Sequence, residues 1–272
     1  MIHFVGAGPG AEDLITVRGA ELLGQADLVI YAGSLVNPSL LDRYCRPDAK
    51  VLNSATMTLE EVVASMTEAE RAGKTTVRLH TGDPSLYGAI REQMDALDRA
   101  HIPYDVTPGV SAFSGAAAAL RAEYTLPAVS QSVIITRMEG RTPVPAGEKL
   151  HDLALHGCTM VLFLSAGLLE KVQDELLQGA YTEDTPAAIV YKATWPDQRI
   201  VNCTVGTLAA AARENGINRT ALITVGGFLG ASYDRSELYN PAFETGFRKA
   251  TAAPPTEDTS ASGKAKESHG QD

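Results

Sequence analysis

Short apolar segments alternate with amphipathic ones along the first half of the chain, and this alternation constrains the fold more than any other feature. Residues 2–6 (IHFVG) and 27–31 (DLVIY) have the composition of buried strands, whereas Glu12–Gln25 has the spacing of an amphipathic helix. The same order continues with a helix at 59–73 and a strand at 75–80. Strands that alternate with helices predict a mainly parallel sheet with helices on its faces.

The second half of the chain is richer in strands. Its β-rich segments are 132–136, 159–165, 187–192, 199–204 and 221–226. The third and fourth segments are separated only by Ala193–Gln198, which predicts an antiparallel hairpin. A hairpin beside other strands makes a mixed sheet, so we expect an α/β fold with two unlike sheets.

The pattern breaks near 125–131, and we place a domain boundary there. The predicted N-terminal domain covers residues 1–128, including the first glycine-rich loop and the substrate cleft, and the C-terminal domain covers 129–249. Residues 250–272 contain almost no large apolar side chain. Such a segment cannot bury enough surface to order itself, so it is predicted to be a disordered tail.

The composition argues against several classes of protein. The formal net charge is −10, so a general nucleic-acid binder, which needs a basic face, is not expected. The cysteines, Cys45, Cys158 and Cys203, are far apart and odd in number, which favours neither a disulfide framework nor a metal site. No apolar run is long enough to span a membrane, and no signal segment is evident. We expect a cytoplasmic protein with no membrane partner and no protein-bound metal.

The first strand is followed by Gly6–Ala11 (GAGPGA), which can be read as a dinucleotide fingerprint. Two features weaken that interpretation. Pro9 removes a backbone N–H from a loop whose donors would hold the phosphates. The acid that should end the second strand is absent, because that strand ends at Tyr31 and Asp27 lies at its start. The loop therefore favours a nucleotide-like ligand that is not a dinucleotide, with a ligand-free turn as the alternative.

Two further glycine-containing loops follow strands. Thr81–Gly88 (TGDPSLYG) comes directly after the strand at 75–80, and 108–112 (PGVSA) comes after the next strand. Ligands of open α/β sheets collect at the carboxyl ends of the strands, so the three loops predict one ligand site. Capping of the following helix is an alternative role for Asp83 and stays open.

A fourth loop, 136–145 (TRMEGRTPVP), is cationic. Arg137 and Arg141 can form planar, bidentate contacts with carboxylates or phosphates. An ion pair between Glu139 and one of these arginines is the alternative. The loop follows a predicted strand, so we expect it near the ligand site.

Together these motifs resemble the tetrapyrrole methylases, which use S-adenosylmethionine. The segments that carry this resemblance are VGAGPG at 5–10, TGDPSLYG at 81–88 and PGVSAFSGAAAAL at 108–120. Three more segments are similar to those of the precorrin-4 and cobalt-precorrin-4 C11-methyltransferases: YAGSLV at 31–36, SQSVIITRMEGRTPVP at 130–145 and VYKATWPDQ at 190–198. The resemblance covers residues 1–249.

The resemblance implies two α/β domains with the cofactor in the cleft between them, and a homodimer. It also implies methyl transfer from S-adenosylmethionine, with S-adenosylhomocysteine as product, to C11 of a corrinoid precursor in cobalamin biosynthesis. The cofactor contacts carried over by motif are Pro9, Thr81, Gly82, Asp83, Leu86, Ser111, Ala112, Leu164, Ala193 and Ala221. The predicted substrate contacts are Arg137, Arg141, Ser34 and Tyr87.

The chain departs from the uroporphyrinogen methylases of the same superfamily. Those enzymes carry an Asp after the strand-two Tyr and a Lys about twenty residues later, whereas this chain has Ala32 and no Lys around Asn53. No general base is assigned by resemblance, and Tyr31 and Glu139 are weak catalytic candidates. Another C-methylase of the same fold, an RNA or protein methylase and an NAD-dependent oxidoreductase are the alternatives.

Overall fold

The computed structural model describes residues 1–230 and 232–251, except for the side chain of Ser34. The predicted tail at 250–272 lies outside the described residues from position 252 onward. Within the described part, the strands form two five-stranded sheets. None of the described helices is long and apolar enough to cross a membrane.

The first sheet is parallel throughout, with helices between its strands. Its elements in chain order are β1 (Ile2–Gly6), α1 (Val17–Gln25), β2 (Leu28–Tyr31), α2 (Pro38–Tyr44), β3 (Lys50–Asn53), α3 (Leu59–Arg71), β4 (Thr76–His80), α4 (Arg91–Arg99), β5 (Tyr104–Thr107) and α5 (Ala112–Leu120). The strand order is β3-β2-β4-β1-β5. The central strand β4 is fully buried, as a parallel sheet covered on both faces requires.

Helix α1 begins later than its apolar spacing predicts. The Thr16 side chain accepts a hydrogen bond from the backbone N–H of Gly19, so Thr16 is the N-cap and the helix begins at Val17. Glu12–Leu14 forms a separate 3-10 turn. The predicted single helix from Glu12 was therefore wrong in its first turn, which is separate from α1.

The second sheet is mixed. Its elements are β6 (Val133–Arg137), α6 (Leu150–Ala154), β7 (Thr159–Phe163), α7 (Leu169–Leu177), β8 (Pro186–Tyr191), β9 (Arg199–Thr204), α8 (Leu208–Glu214) and β10 (Ala221–Val225). The strand order is β6-β7-β10-β8-β9, and only β6 and β7 run parallel. The predicted hairpin is confirmed by the antiparallel pairing of β8 with β9.

Helix α5 packs the two halves together. Ala116 is fully buried in a cluster that includes Val161, Val190 and Leu222 of the second sheet. The alanine side chains of α5 leave room for this close approach. The α/β fold with one parallel and one mixed sheet is thus confirmed, while the domain limits 1–128 and 129–249 stay predictions.

Candidate active site

The three glycine-containing loops meet at the carboxyl edge of the first sheet. Gly8 and Gly82 exchange backbone hydrogen bonds of 3.2 and 2.8 Å. A Cβ added to Gly109 would lie 2.1 Å from the Gly82 carbonyl oxygen and 2.8 Å from the Gly6 Cα. The three loops therefore touch backbone to backbone, which only glycine permits.

The carboxylate of Asp83 links its own loop to the loop of Gly109 by hydrogen bonds. Its Oδ2 accepts the backbone N–H of Gly109 at 2.8 Å, and its Oδ1 accepts both the N–H and the hydroxyl of Ser85. The helix-capping alternative is wrong, because α4 begins at Arg91 without a side-chain cap. Desolvation raises the pKa of Asp83, but the hydrogen bonds from Ser85 and Gly109 together outweigh it and hold the pKa below its ordinary value.

We expect Asp83→Asn to lower the free energy of unfolding by about 1–3 kcal/mol, since an amide nitrogen would face a backbone N–H. The pKa of Asp83 is lowered in the folded state, so its stabilising contribution is full above the ordinary value of 3.8. That contribution is lost as the pH falls through the folded pKa. Urea unfolding at neutral and acid pH measures both effects. A difference between variant and wild type that persists unchanged well below pH 3.8 would contradict the assignment.

A cavity of about 360 Å³ lies between these loops and the second sheet, within the size range of small-molecule sites. All ten residues predicted to contact the cofactor line it. They are Pro9, Thr81, Gly82, Asp83, Leu86, Ser111, Ala112, Leu164, Ala193 and Ala221. The structure thus brings together residues that are as far apart along the chain as Pro9 and Ala221. Whether each contacts a cofactor stays a prediction.

The second sheet contributes lining residues that were not predicted from the sequence. They include Phe163, Lys192, Trp195, Arg219 and Thr220. Four lining residues other than glycine have a positive φ, namely Tyr87 (57°), Leu164 (53°), Lys192 (46°) and Thr220 (51°). Such conformations are uncommon outside glycine and cluster at ligand sites. Nothing in these residue types signals a positive φ, so the sequence could not reveal them.

The first glycine-rich loop has few donors left for phosphates. Ala7, Gly8 and Ala11 each donate their backbone N–H to an oxygen of the protein, and Pro9 has no N–H. A pyrophosphate cradle needs those donors. Asp27 lies at the opposite edge of the sheet, where its side chain accepts the backbone N–H of Thr75. Both observations argue against the dinucleotide interpretation.

A cationic groove continues from the cavity, since Leu164 and Gly167 line both. Arg137 and Arg141, the two predicted carboxylate-binding residues, line this groove. Lys171, on the first turns of α7, lines it as a third cation. Lys171 lies far from the arginines along the chain, so no local sequence pattern groups it with them.

The two arginines differ in their surroundings. The guanidinium of Arg137 donates to the carbonyl oxygens of Thr142 (3.2 Å) and Pro143 (2.7 Å) and so holds its own loop. Arg141 makes no hydrogen bond or ion pair with the described residues. Glu139 pairs with neither arginine in the described part of the chain. Its Oε1 instead accepts the backbone N–H of Val144 at 3.4 Å, so the ion-pair alternative was wrong.

The remaining predicted residues lie in different places. Tyr87 lines the cavity, with its ring centroid 5.3 Å from that of Phe163. Burial raises the pKa of Tyr87 above its ordinary value, and the opposing effect of the Arg137 charge is smaller. Tyr31 packs against the core of the first sheet, and neither Tyr31 nor Glu139 lines the cavity. The side chain of Ser34 lies outside the described part of the structure.

The fold is that of a known class of protein. The family model of the tetrapyrrole (corrin/porphyrin) methylases matches residues 1–209, and the chain belongs to this family.

Individual relatives are similar over nearly the whole chain. A cobalt-precorrin-4 C11-methyltransferase from Methanocaldococcus jannaschii is 51% identical, over 91% of this chain and 96% of the relative. A precorrin-4 C11-methyltransferase from Sinorhizobium is 47% identical, over 91% and 98%.

Two solved structures are also similar. The X-ray structure of a cobalt-precorrin-4 methyltransferase of cobalamin biosynthesis has a TM-score of 0.82 and 52% identity, covering 85% of this chain and 96% of that one. A uroporphyrin-III C-methyltransferase from Thermus thermophilus, complexed with S-adenosylhomocysteine, has a TM-score of 0.71 and 25% identity, covering 84% and 98%.

Proposed function

We propose that this chain transfers the methyl group of S-adenosylmethionine to C11 of cobalt-precorrin-4 or precorrin-4 in cobalamin biosynthesis. The observation that carries the proposal is that all ten predicted cofactor contacts line one cavity. The cavity adjoins a groove that is lined by three cationic side chains. The names of the two relatives from M. jannaschii and Sinorhizobium support the same reaction.

The cavity suits the proposed methyl donor. Its lining is mostly apolar or backbone, which matches a ligand with an adenine ring and an aliphatic chain. Ser111 precedes α5, yet its hydroxyl does not cap the helix and is left for a ligand. Thr81 supplies a second hydroxyl to the lining. When bound, the donor supplies an electrophilic methyl on a positively charged sulfur.

The chain contributes mainly by positioning. An electron-rich carbon of the macrocycle forms the new C–C bond, the C–S bond breaks with its electron pair left on sulfur, and no enzyme nucleophile is needed. Holding two reactants in line can lower the barrier by about 7–11 kcal/mol. Arg137, Arg141 and Lys171 would hold the carboxylate arms of the macrocycle in the adjoining groove. A role for Tyr31 or Glu139 in accepting the proton lost after transfer stays a prediction.

The decisive experiment incubates the purified protein with methyl-labelled S-adenosylmethionine and either cobalt-precorrin-4 or precorrin-4. NMR then locates the labelled methyl on the macrocycle. Label at C11 is the expected result, and the better of the two macrocycles identifies the substrate. Label at another ring carbon would favour a different C-methylase of the same fold.

Calorimetry with S-adenosylhomocysteine and with NAD separates the methylase from the oxidoreductase alternative. We expect micromolar binding of S-adenosylhomocysteine and no response to NAD, because the donors of the first loop are already used within the protein. Tight NAD binding without a response to S-adenosylhomocysteine would overturn the proposal. The homodimer and the cytoplasmic location implied by the resemblance stay predictions.

A further inference from the structure

The turn between β8 and β9 carries the chain's one tryptophan, and this turn reaches across the cavity to the first glycine-rich loop. The indole N–H of Trp195 donates to the carbonyl oxygen of Pro9 at 3.1 Å. The backbone N–H of Ala11 donates to the hydroxyl oxygen of Thr194 at 2.9 Å. Two hydrogen bonds therefore join a loop of the first sheet to a turn of the second.

The indole ring is held from several sides. The Nζ of Lys192 lies 5.1 Å from the ring centroid and forms an ion pair of 2.6 Å with Asp197. On the side of the first sheet, a Cβ added to Gly10 would lie 2.0 Å from Cδ1 of Trp195. Gly10 is thus the residue that lets the indole approach the Pro9 carbonyl.

Two residues of this turn have strained backbone conformations. Thr194 has a φ of 68° and Lys192 a φ of 46°. A positive φ at a β-branched residue is an outlier that persists only when the surrounding structure enforces it. The strain places the Thr194 hydroxyl opposite the N–H of Ala11 and directs the indole of Trp195 toward Pro9.

We propose that Trp195 is a positioning residue for the methyl donor, acting through Pro9. Pro9, Ala193 and Trp195 all line the cavity, so the indole hydrogen bond sets the separation of two of its walls. When a cavity is preorganised in this way, less free energy is needed to order it as a ligand binds, so the ligand binds more tightly. The proposal rests on the proposed function, because it takes the cavity ligand to be S-adenosylmethionine.

The test replaces Trp195 by phenylalanine, which keeps an aromatic ring beside Gly10 and removes the N–H. Loss of one hydrogen bond predicts an affinity for S-adenosylhomocysteine about 2- to 12-fold weaker, measured by calorimetry. Tyr181→Phe is the matched control. The buried Tyr181 hydroxyl donates to the carbonyl oxygen of Cys158 in the core of the second sheet, away from the cavity. This control should lower Tm about as much as Trp195→Phe does. It should leave the affinity for S-adenosylhomocysteine unchanged.

Thr194→Val gives an independent measurement that keeps the tryptophan. It removes the acceptor for the Ala11 N–H with little change in volume. Since Trp195 lines the cavity and the chain has no other tryptophan, its fluorescence should change when S-adenosylhomocysteine binds. We expect the midpoint of that titration to move to a higher ligand concentration in Thr194→Val.

The outcomes separate the two proposals. If Trp195→Phe binds S-adenosylhomocysteine as tightly as wild type while its Tm falls as in Tyr181→Phe, Trp195 is only a packing residue. A wild-type protein that binds no S-adenosylhomocysteine would instead overturn the proposed function, and the role of Trp195 with it.

Discussion

Gly109→Ala is expected to eliminate measurable S-adenosylhomocysteine binding and to lower the free energy of unfolding by about 3 kcal/mol or more. The new Cβ would lie 2.1 Å from the carbonyl oxygen of Gly82 and 2.8 Å from the Cα of Gly6. Both are backbone atoms, so no side-chain rotation relieves the clash. Overpacking of this kind usually costs about 1–3 kcal/mol, and more where the neighbours cannot move. The loops must separate, and the cavity walls separate with them.

Gly147→Ala is the matched control for this substitution. A Cβ at Gly147 would meet no heavy atom within 4 Å, and its φ is not in the left-handed region. We expect unchanged binding and a stability equal to wild type or higher by up to about 1 kcal/mol, since alanine restricts the unfolded chain. Urea unfolding and calorimetry on both variants decide the matter. Wild-type stability and affinity in Gly109→Ala would show that the three loops are not in contact.

The sequence predicts the half of the site that belongs to the first sheet. Each of its loops follows an apolar strand and contains glycine, and parallel strands end at one edge, so their convergence follows from topology alone. The loops that contain Gly82 and Gly109 are therefore predicted to lie at the same edge of the sheet. The structure brings the backbones of these two glycines into close contact.

The second-sheet half depends on tertiary structure that no local pattern reveals. The positive φ of Leu164 and Lys192 arises from the turns that end β7 and β8, and neither residue type favours it. The hydrogen bonds from the Arg137 guanidinium to the carbonyl oxygens of its own loop form only when that loop folds back on the end of β6. Lys171 joins the groove because α7 packs beside that loop.

The elements missed in the first half have local reasons. Helix α2 begins at Pro38, directly after its N-cap Asn37, and both residue types are typical of a helix start. Strand β3 (Lys50–Asn53) lies at the sheet edge and is largely exposed. It therefore lacks the apolar run by which β1 and β2 were predicted.

Arg141→Leu is expected to reduce kcat/KM for the macrocycle about 10- to 100-fold. A charge-assisted hydrogen bond to a carboxylate contributes about 1.5–3 kcal/mol, and about 1.4 kcal/mol corresponds to a factor of ten. Arg141 has no hydrogen-bond or ion-pair partner among the described residues, so its loss should leave Tm unchanged. Affinity for S-adenosylhomocysteine should also stay the same, because Arg141 lines the groove and not the cavity.

Arg137→Leu should behave differently, because that guanidinium also holds the carbonyl oxygens of Thr142 and Pro143. We expect a similar loss of kcat/KM accompanied by a lower Tm. Arg→Lys at either position should also reduce kcat/KM, since an ammonium group cannot reproduce the planar bidentate contact. Arg91→Leu is the control, an exposed arginine paired with Asp95 on α4, and should leave the kinetics unchanged. If Arg141→Leu keeps wild-type kinetics with the macrocycle, Arg141 does not hold a substrate carboxylate. Arg137 and Lys171 would then be the remaining candidates for that contact.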